Sequence, residues 1–129
     1  MTHELQIRVY YEDTDLAGIV YYANYLKFIE RARSEYLRDL GVDQNALKQD
    51  QNCVFAVRRV TADYLKPAKF DDLVTVHTKL CEFRKAQLTL SQDIWRGEAR
   101  LFKSSVTLVA LRQDGRPIRL PEALVAALS

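Results

Sequence analysis

Three carboxylates, Glu12, Asp13 and Asp15, are grouped just ahead of Gly18 in residues 11–26, which read YEDTDLAGIVYYANYL. A carboxylate can act on an activated carbonyl as a nucleophile or as a general base on water. A thioester suits either route, because its thiolate departs without strong protonation, so one carboxylate suffices if the carbonyl oxygen is polarised. The helix expected from Asn24 onward offers that polarisation through its free backbone N–H groups and the positive end of its dipole. Glycine at 18 permits a positive φ, or a close approach to a ligand that a side chain would obstruct. The same residues also compose an ordinary solvated turn, with Asp13 or Asp15 bonding its own backbone and Asn24 capping the helix. Residue types alone leave both readings open.

Other hydrolytic chemistries lack their residues. Neither a GxSxG elbow nor an HExxH helix occurs, and His3 and His77 are the only histidines. His3 lies at an end expected to fray and His77 inside a strand pattern, so structural or surface roles are expected for both. Cys53 and Cys81 show neither CxxC nor Cys/His spacing and stand in apolar, strand-like settings, which reads as two reduced structural thiols. No metal and no cofactor is expected. A net charge of +2 is too balanced to mark nucleic acid as a partner. No apolar run approaches the roughly 20 residues of a membrane span, and the first residues lack the apolar stretch of a signal peptide, so the expected compartment is the cytoplasm.

The elements that must position the carboxylates follow from periodicity. Residues 5–11 alternate as a short strand that feeds the acidic loop. From Asn24, the apolar positions Tyr25, Phe28, Ile29, Ala32, Tyr36, Leu37 and Leu40 recur at three and four residues, and Gly41 follows as a helix stop. The opposite face carries charges that could pair as Glu30 with Arg33 and Arg31 with Glu35. Residues 43–51 read as a short helix or a loop. Residues 54–64, 73–83, 87–95 and 99–111 are rich in Val, Thr, Leu and aromatics and predict four long strands in a meander. Residues 121–128 predict a terminal helix. Segregated rather than alternating elements indicate an α+β fold with a mostly antiparallel sheet, and the 129 residues suit one domain, 1–129. One long helix wrapped by a five-stranded sheet is the hotdog arrangement. Its unprotected edge strand predicts pairing between subunits, first a dimer with one continuous sheet, then a tetramer as a dimer of dimers.

The string VYYEDTDLAGIVYYANYLKFIERARSEYL in residues 9–37, with VRRVTADYLKPAKFDDLVTVHTKL in residues 57–80, closely resembles the YbgC-like and 4-hydroxybenzoyl-CoA thioesterase group of hotdog acyl-CoA thioesterases. The resemblance implies hydrolysis of an acyl-CoA to free acid and CoA. It implies Asp15, the second aspartate of the D-x-D pair, as the catalytic carboxylate, with Asp13 organising the loop and Gly18 turning it. It also implies that the backbone N–H of Tyr22 polarises the carbonyl. YbgC-like members usually carry histidine at that position; Tyr22 instead looks like the aromatic of the 4-hydroxybenzoyl-CoA branch, so no imidazole is available there.

Among candidate substrate-binding residues, Asn24 either caps the helix or bonds substrate or water. Tyr25, with Tyr21, Tyr22 and Tyr36, either lines an acyl pocket or is core. Glu30 is expected to pair with Arg33 or bond a neighbouring strand. Arg84 and Lys85 occupy a turn that resembles the basic hairpin contacting CoA in the 4-hydroxybenzoyl-CoA branch. A contrasting reading is a binding module for acyl carrier protein, or for the Tol-Pal envelope system with which YbgC-like relatives look associated, in which hydrolysis is incidental.

Overall fold

The computed structural model describes residues 2–129. Strand β1 (His3–Arg8) leads into a single 3₁₀ turn at Tyr11–Asp13. Helix α1 (Asn24–Asp39) and the short helix α2 (Gln44–Gln51) follow. Strands β2 (Val54–Tyr64), β3 (Leu73–Arg84), β4 (Gln87–Arg96) and β5 (Ala99–Leu111) then precede helix α3 (Glu122–Leu128). The five strands form one sheet in the order β1-β3-β4-β5-β2, antiparallel throughout. The fold is a single hotdog domain of α+β class.

Helix α1 buries the stripe that its periodicity marks, Tyr25, Phe28, Ile29, Ala32, Tyr36 and Leu37. These side chains meet the inner sheet face at Val74, Val76, Leu88, Leu90, Ile94, Phe102 and Val106, all buried in the same core. The helix ends in a Schellman motif: Gly41, at φ +85°, donates to the Arg38 carbonyl, and Val42 donates to that of Leu37. A left-handed residue is needed there, which is why glycine stops the helix. Residues 43–51 resolve as a helix whose Asp43 side chain accepts from the Ala46 N–H at 3.1 Å.

Four expectations change. The last four strands do not form a simple meander, because β2 pairs with β5 at the far edge while β1 takes the open side of β3. The reason lies in residues 65–72, which are too long for a tight hairpin and instead cross the sheet end, held by Leu65 and Lys66 N–H bonds to the Leu101 carbonyl. Strand β1 stops at Arg8 rather than residue 11, since the Asp13 carboxylate accepts from the Tyr10 N–H and turns the chain. His3 is not at a frayed end: it sits in β1, and its Nε2 lies 2.8 Å from Asp39 at the end of α1. Cys53 is buried, which pushes its thiol up, but Cys81 is exposed. The register slips between Leu80 and Glu82, and the bulge turns Cys81 outward.

The expected helix ion pairs are also replaced. Among the described residues, Arg33 bonds Gln92 across the core at 3.0 Å, Ser34 donates to Glu30, and Arg38 pairs with Glu35. Arg31 lies over the Phe28 ring instead. Gln92, fully buried on β4, donates to the Ile29 carbonyl at 2.9 Å and to Thr78 Oγ1 at 3.0 Å. One side chain thereby ties α1 to the sheet centre, and its own buried amide is left without partners if these bonds are lost. Gln92→Leu, which keeps the volume but removes every side-chain bond, is expected to lower stability by about 2–3 kcal/mol, read as a lower urea midpoint at unchanged m-value.

Candidate active site

Residues 14–20 fold back on themselves. Thr14 and Val20 form an antiparallel bridge, Asp15 donates its N–H to the Ile19 carbonyl, and Gly18 donates to that of Asp15, each at 2.9 Å. Gly18 has φ +80°, and a Cβ built on it would meet nothing within 4 Å. The glycine is therefore required by backbone conformation, not by close approach within the chain. At the turn, Asp15 is exposed; its Oδ1 accepts from the Ala17 N–H at 2.9 Å. Its other oxygen has no hydrogen-bond donor among the described residues.

Asp13 plays the opposite part. It is only 8% exposed, its Oδ2 accepts from the Tyr10 N–H, and its carbonyl accepts from the Tyr21 N–H and from Asn24 Nδ2, both at 2.9 Å. Asn24 is therefore not a helix cap; one of its two Nδ2 hydrogens is spent on Asp13. The chain is already helical at Ala23 (φ −71°, ψ −21°), with Asn24 N–H bonded to the Tyr21 carbonyl, so no extended capping residue exists. The Asn24 side chain reaches back instead and ties the helix start to the acidic loop. Among the described residues no group accepts the Tyr22 N–H. The Tyr22 side chain is exposed, and Tyr64 Oη donates to its carbonyl at 2.9 Å.

Tyr25 does not line an open pocket in the chain. It is 3% exposed, stacks on Phe102 at 5.1 Å, and its hydroxyl accepts from the Ala68 N–H at 3.0 Å. Burial pushes its phenol up, against the opposing effect of the Ala68 bond. The inward α1 stripe places this tyrosine in the core by geometry. Arg84 and Lys85 stand at the β3–β4 turn, with Arg84 near Glu82 at 3.4 Å and the Lys85 carbonyl accepting from the Leu120 N–H. The acidic loop is anchored at the other end of β3, beside residues 68–72. Eleven strand steps, from Leu73 to Arg84, separate the two ends by about 36 Å. One chain keeps the candidate carboxylate and the candidate basic turn apart.

The Thioesterase superfamily profile matches residues 17–103, beginning just after Asp15. The chain belongs to the Thioesterase superfamily. Acyl-CoA thioesterase YbgC of Haemophilus influenzae is 40% identical over 122 residues, spanning 94% of this chain and 90% of that protein. Acyl-CoA thioester hydrolase YbgC of Escherichia coli O6:H1 is 38% identical over 122 residues, spanning 93% and 90%. A probable thioesterase from Bartonella henselae superposes with a TM-score of 0.90 at 37% identity, covering 94% of this chain and 100% of that one. A mutant of 4-hydroxybenzoyl CoA thioesterase, complexed with 4-hydroxybenzoyl CoA, superposes with a TM-score of 0.92 over 99% of both chains; at 22% identity this is a likeness of fold.

The thioesterase loop has supports that sequence reading missed, all on residues 64–72. Ala68 accepts from the Val20 N–H at 2.8 Å, Lys69 bridges Ile19, and Asp72 accepts from the Lys69 N–H at 2.8 Å and from Arg96 at 2.7 Å. The signal in the sequence is the length and polarity of this connection, which a hairpin does not need. No helix among the described residues is long and apolar enough to cross a membrane.

Two expectations follow for the thioesterase. Gly18→Ala forces a left-handed alanine in open space, so a stability loss of about 1–2 kcal/mol is expected by urea titration, with no steric component. Burial acts to raise the Asp72 carboxyl, but the Lys69 and Arg96 bonds outweigh it and hold the group below its ordinary value. A depressed carboxyl stabilises the fold above its unfolded value and loses that effect as pH falls through the folded one. The stability gap between wild type and Asp72→Asn should therefore be full near neutrality and close as the pH falls through and below the ordinary aspartate range, read by thermal melts across acid pH.

Proposed function

We propose that this thioesterase hydrolyses acyl-CoA thioesters with Asp15 as the reacting carboxylate and the Tyr22 N–H as the carbonyl-polarising donor. The observation that carries the reading is the division of labour between the two aspartates. Asp13 is buried, with its carboxylate on the Tyr10 N–H and its carbonyl on the start of α1, whereas the Asp15 carboxylate is exposed, takes one bond from Ala17 and keeps its other oxygen open to solvent. Negative charge developing on the thioester oxygen would be received by the Tyr22 N–H at the positive end of α1. The C–S bond then breaks and the CoA thiolate leaves. Asp15 either attacks the carbonyl carbon, giving a mixed anhydride that water cleaves, or takes a proton from the water that attacks. With tyrosine at 22, no imidazole shares this work. A thioester on acyl carrier protein presents the same carbonyl; CoA is preferred because the similar YbgC proteins are named for it.

The CoA end of the reading requires a second copy. Strand β2 lies at the sheet edge and leaves Val57, Val60 and Tyr64 exposed. Two-fold antiparallel pairing of β2 with its copy would join the sheets and reverse the partner, bringing its Val54 end beside this chain's Tyr64 end. Arg84 and Lys85 of that partner would then approach the end that carries Asp15, ready to meet phosphates that the same chain's basic turn, about 36 Å away, cannot reach.

Asp15→Asn is expected to retain fold and assembly state while losing turnover by about a thousandfold or more, measured as thiol release across aryl, short-chain and long-chain CoA esters. Near wild-type turnover would overturn the assignment. Arg84→Ala with Lys85→Ala should raise KM for CoA esters with little change in kcat. Co-assembled with the Asp15→Asn chain, the double variant should recover low-substrate activity through mixed sites; absence of that recovery in verified mixed oligomers would rule out sharing between chains.

A further inference from the structure

An N–H that stabilises developing negative charge is most effective when it is fixed before the reaction begins. Tyr22 sits between two peptide planes, and each is anchored through its carbonyl. The plane shared with Tyr21 is held by the Asn24 N–H, which donates to the Tyr21 carbonyl at 2.8 Å. The plane shared with Ala23 is held by Tyr64 Oη, which donates to the Tyr22 carbonyl at 2.9 Å. In a trans peptide the C=O and N–H point in opposite directions, so the Asn24 bond to the Tyr21 carbonyl sends the Tyr22 N–H the other way, while the Tyr64 bond to the Tyr22 carbonyl holds the next plane, which carries the Ala23 N–H. Both torsions of Tyr22 are thus constrained from the protein side, while its N–H meets no acceptor among the described residues.

We propose that Tyr64 is a positioning residue for thioester hydrolysis: its hydroxyl fixes the Tyr22–Ala23 peptide, so that Tyr22 cannot turn and carry its N–H, aimed by the Asn24 bond to the Tyr21 carbonyl, away from the substrate. This inference rests on the reading of the Tyr22 N–H as the polarising donor. Tyr64 is suited to the task because its ring is clamped. It makes edge contacts with Tyr22 at 6.2 Å, Tyr25 at 5.3 Å and Phe102 at 5.1 Å, and Phe102 is also its cross-strand partner in the β2–β5 register. Tyr25 is in turn stacked on Phe102 and bonded to Ala68, so the clamp extends into the core. Burial first, then the neighbouring Tyr22 and Tyr25 phenols, push the Tyr64 hydroxyl up, which keeps it a donor throughout the neutral range. A ring held this way at the last residue of β2 can transmit the rigidity of the sheet to the first turn of α1.

The test is Tyr64→Phe, which keeps the ring packing and removes only the hydroxyl. Turnover should fall about tenfold with KM for the acyl-CoA changed less than about twofold. A hydroxyl that serves stability alone would lower the melting temperature and leave kcat in place, which would overturn the proposal. A second readout uses the Asp15→Asn chain loaded with an acyl-CoA that the wild type hydrolyses, isotope-labelled at its carbonyl carbon. Its bound carbonyl stretch should lie below the solution frequency, and adding Tyr64→Phe should shrink that shift; an unchanged shift overturns the proposal. Should Tyr64→Phe fail to fold, fluorotyrosine at position 64 keeps the ring and alters the donor strength of the hydroxyl, and kcat must then move while KM does not. Turnover retained by Asp15→Asn would defeat the mechanism itself, whereas an inactive Asp15→Asn beside a Tyr64→Phe with wild-type kcat would defeat only the role of Tyr64.

Discussion

Two donors converge on one carbonyl oxygen, that of Asp13: the Tyr21 N–H and the Asn24 side-chain amide. On this pair of bonds depends the relation between the acidic loop and α1, which are otherwise separated by residues 14–20. Buried backbone acceptors are rarely left unpaired, so the loop cannot swing away from the helix without stranding this carbonyl. Asp15 then inherits its position from Asp13. The residue proposed to do the chemistry is exposed and lightly held, and its neighbour supplies the rigidity.

The sheet supplies the second frame. Its five strands close around α1 because the helix carries one apolar stripe and the sheet one apolar face, and the buried Gln92 joins the two at their centre. Residues 65–72 must cross the sheet end to carry the chain from β2 to β3, and in crossing they meet the loop. Ala68 takes the Val20 N–H and gives its own to Tyr25, while Asp72 and Arg96 pin the far side of the connection. The same topology leaves β2 at the edge. A strand with exposed Val57, Val60 and Tyr64 is poorly protected alone, and its orientation decides which end of a partner would face Asp15.

Much of this is legible in the amino-acid sequence. The helix from Asn24 to its glycine stop was readable because the apolar residues recur at helical spacing and Gly41 supplies the left-handed exit. The strands were readable from branched and aromatic runs between polar turns. What misled was local plausibility. Asn24 looks like a cap because its type caps helices, but the backbone is already helical one residue earlier. Glu30 and Arg33 look like a helical pair, yet Arg33 finds Gln92 across the core, a partner 59 positions away. Tyr25 looks equally suited to a pocket or a core, and only the facing Phe102 decides between them.

The sequence by itself determined the α+β hotdog class, the kinship with the thioesterases, and the grouping of Asp13, Asp15 and Gly18 ahead of a helix, because short-range spacing governs periodicity, turns and motifs. Only the tertiary structure decided which aspartate is buried, that β2 pairs with β5, that Tyr64 reaches the Tyr22 carbonyl, and that Arg84 and Lys85 stand at the end opposite Asp15. Each of these depends on residues far apart in the chain competing for the same space or the same hydrogen-bonding atom. That competition is resolved when the whole core closes, and no local pattern encodes its outcome.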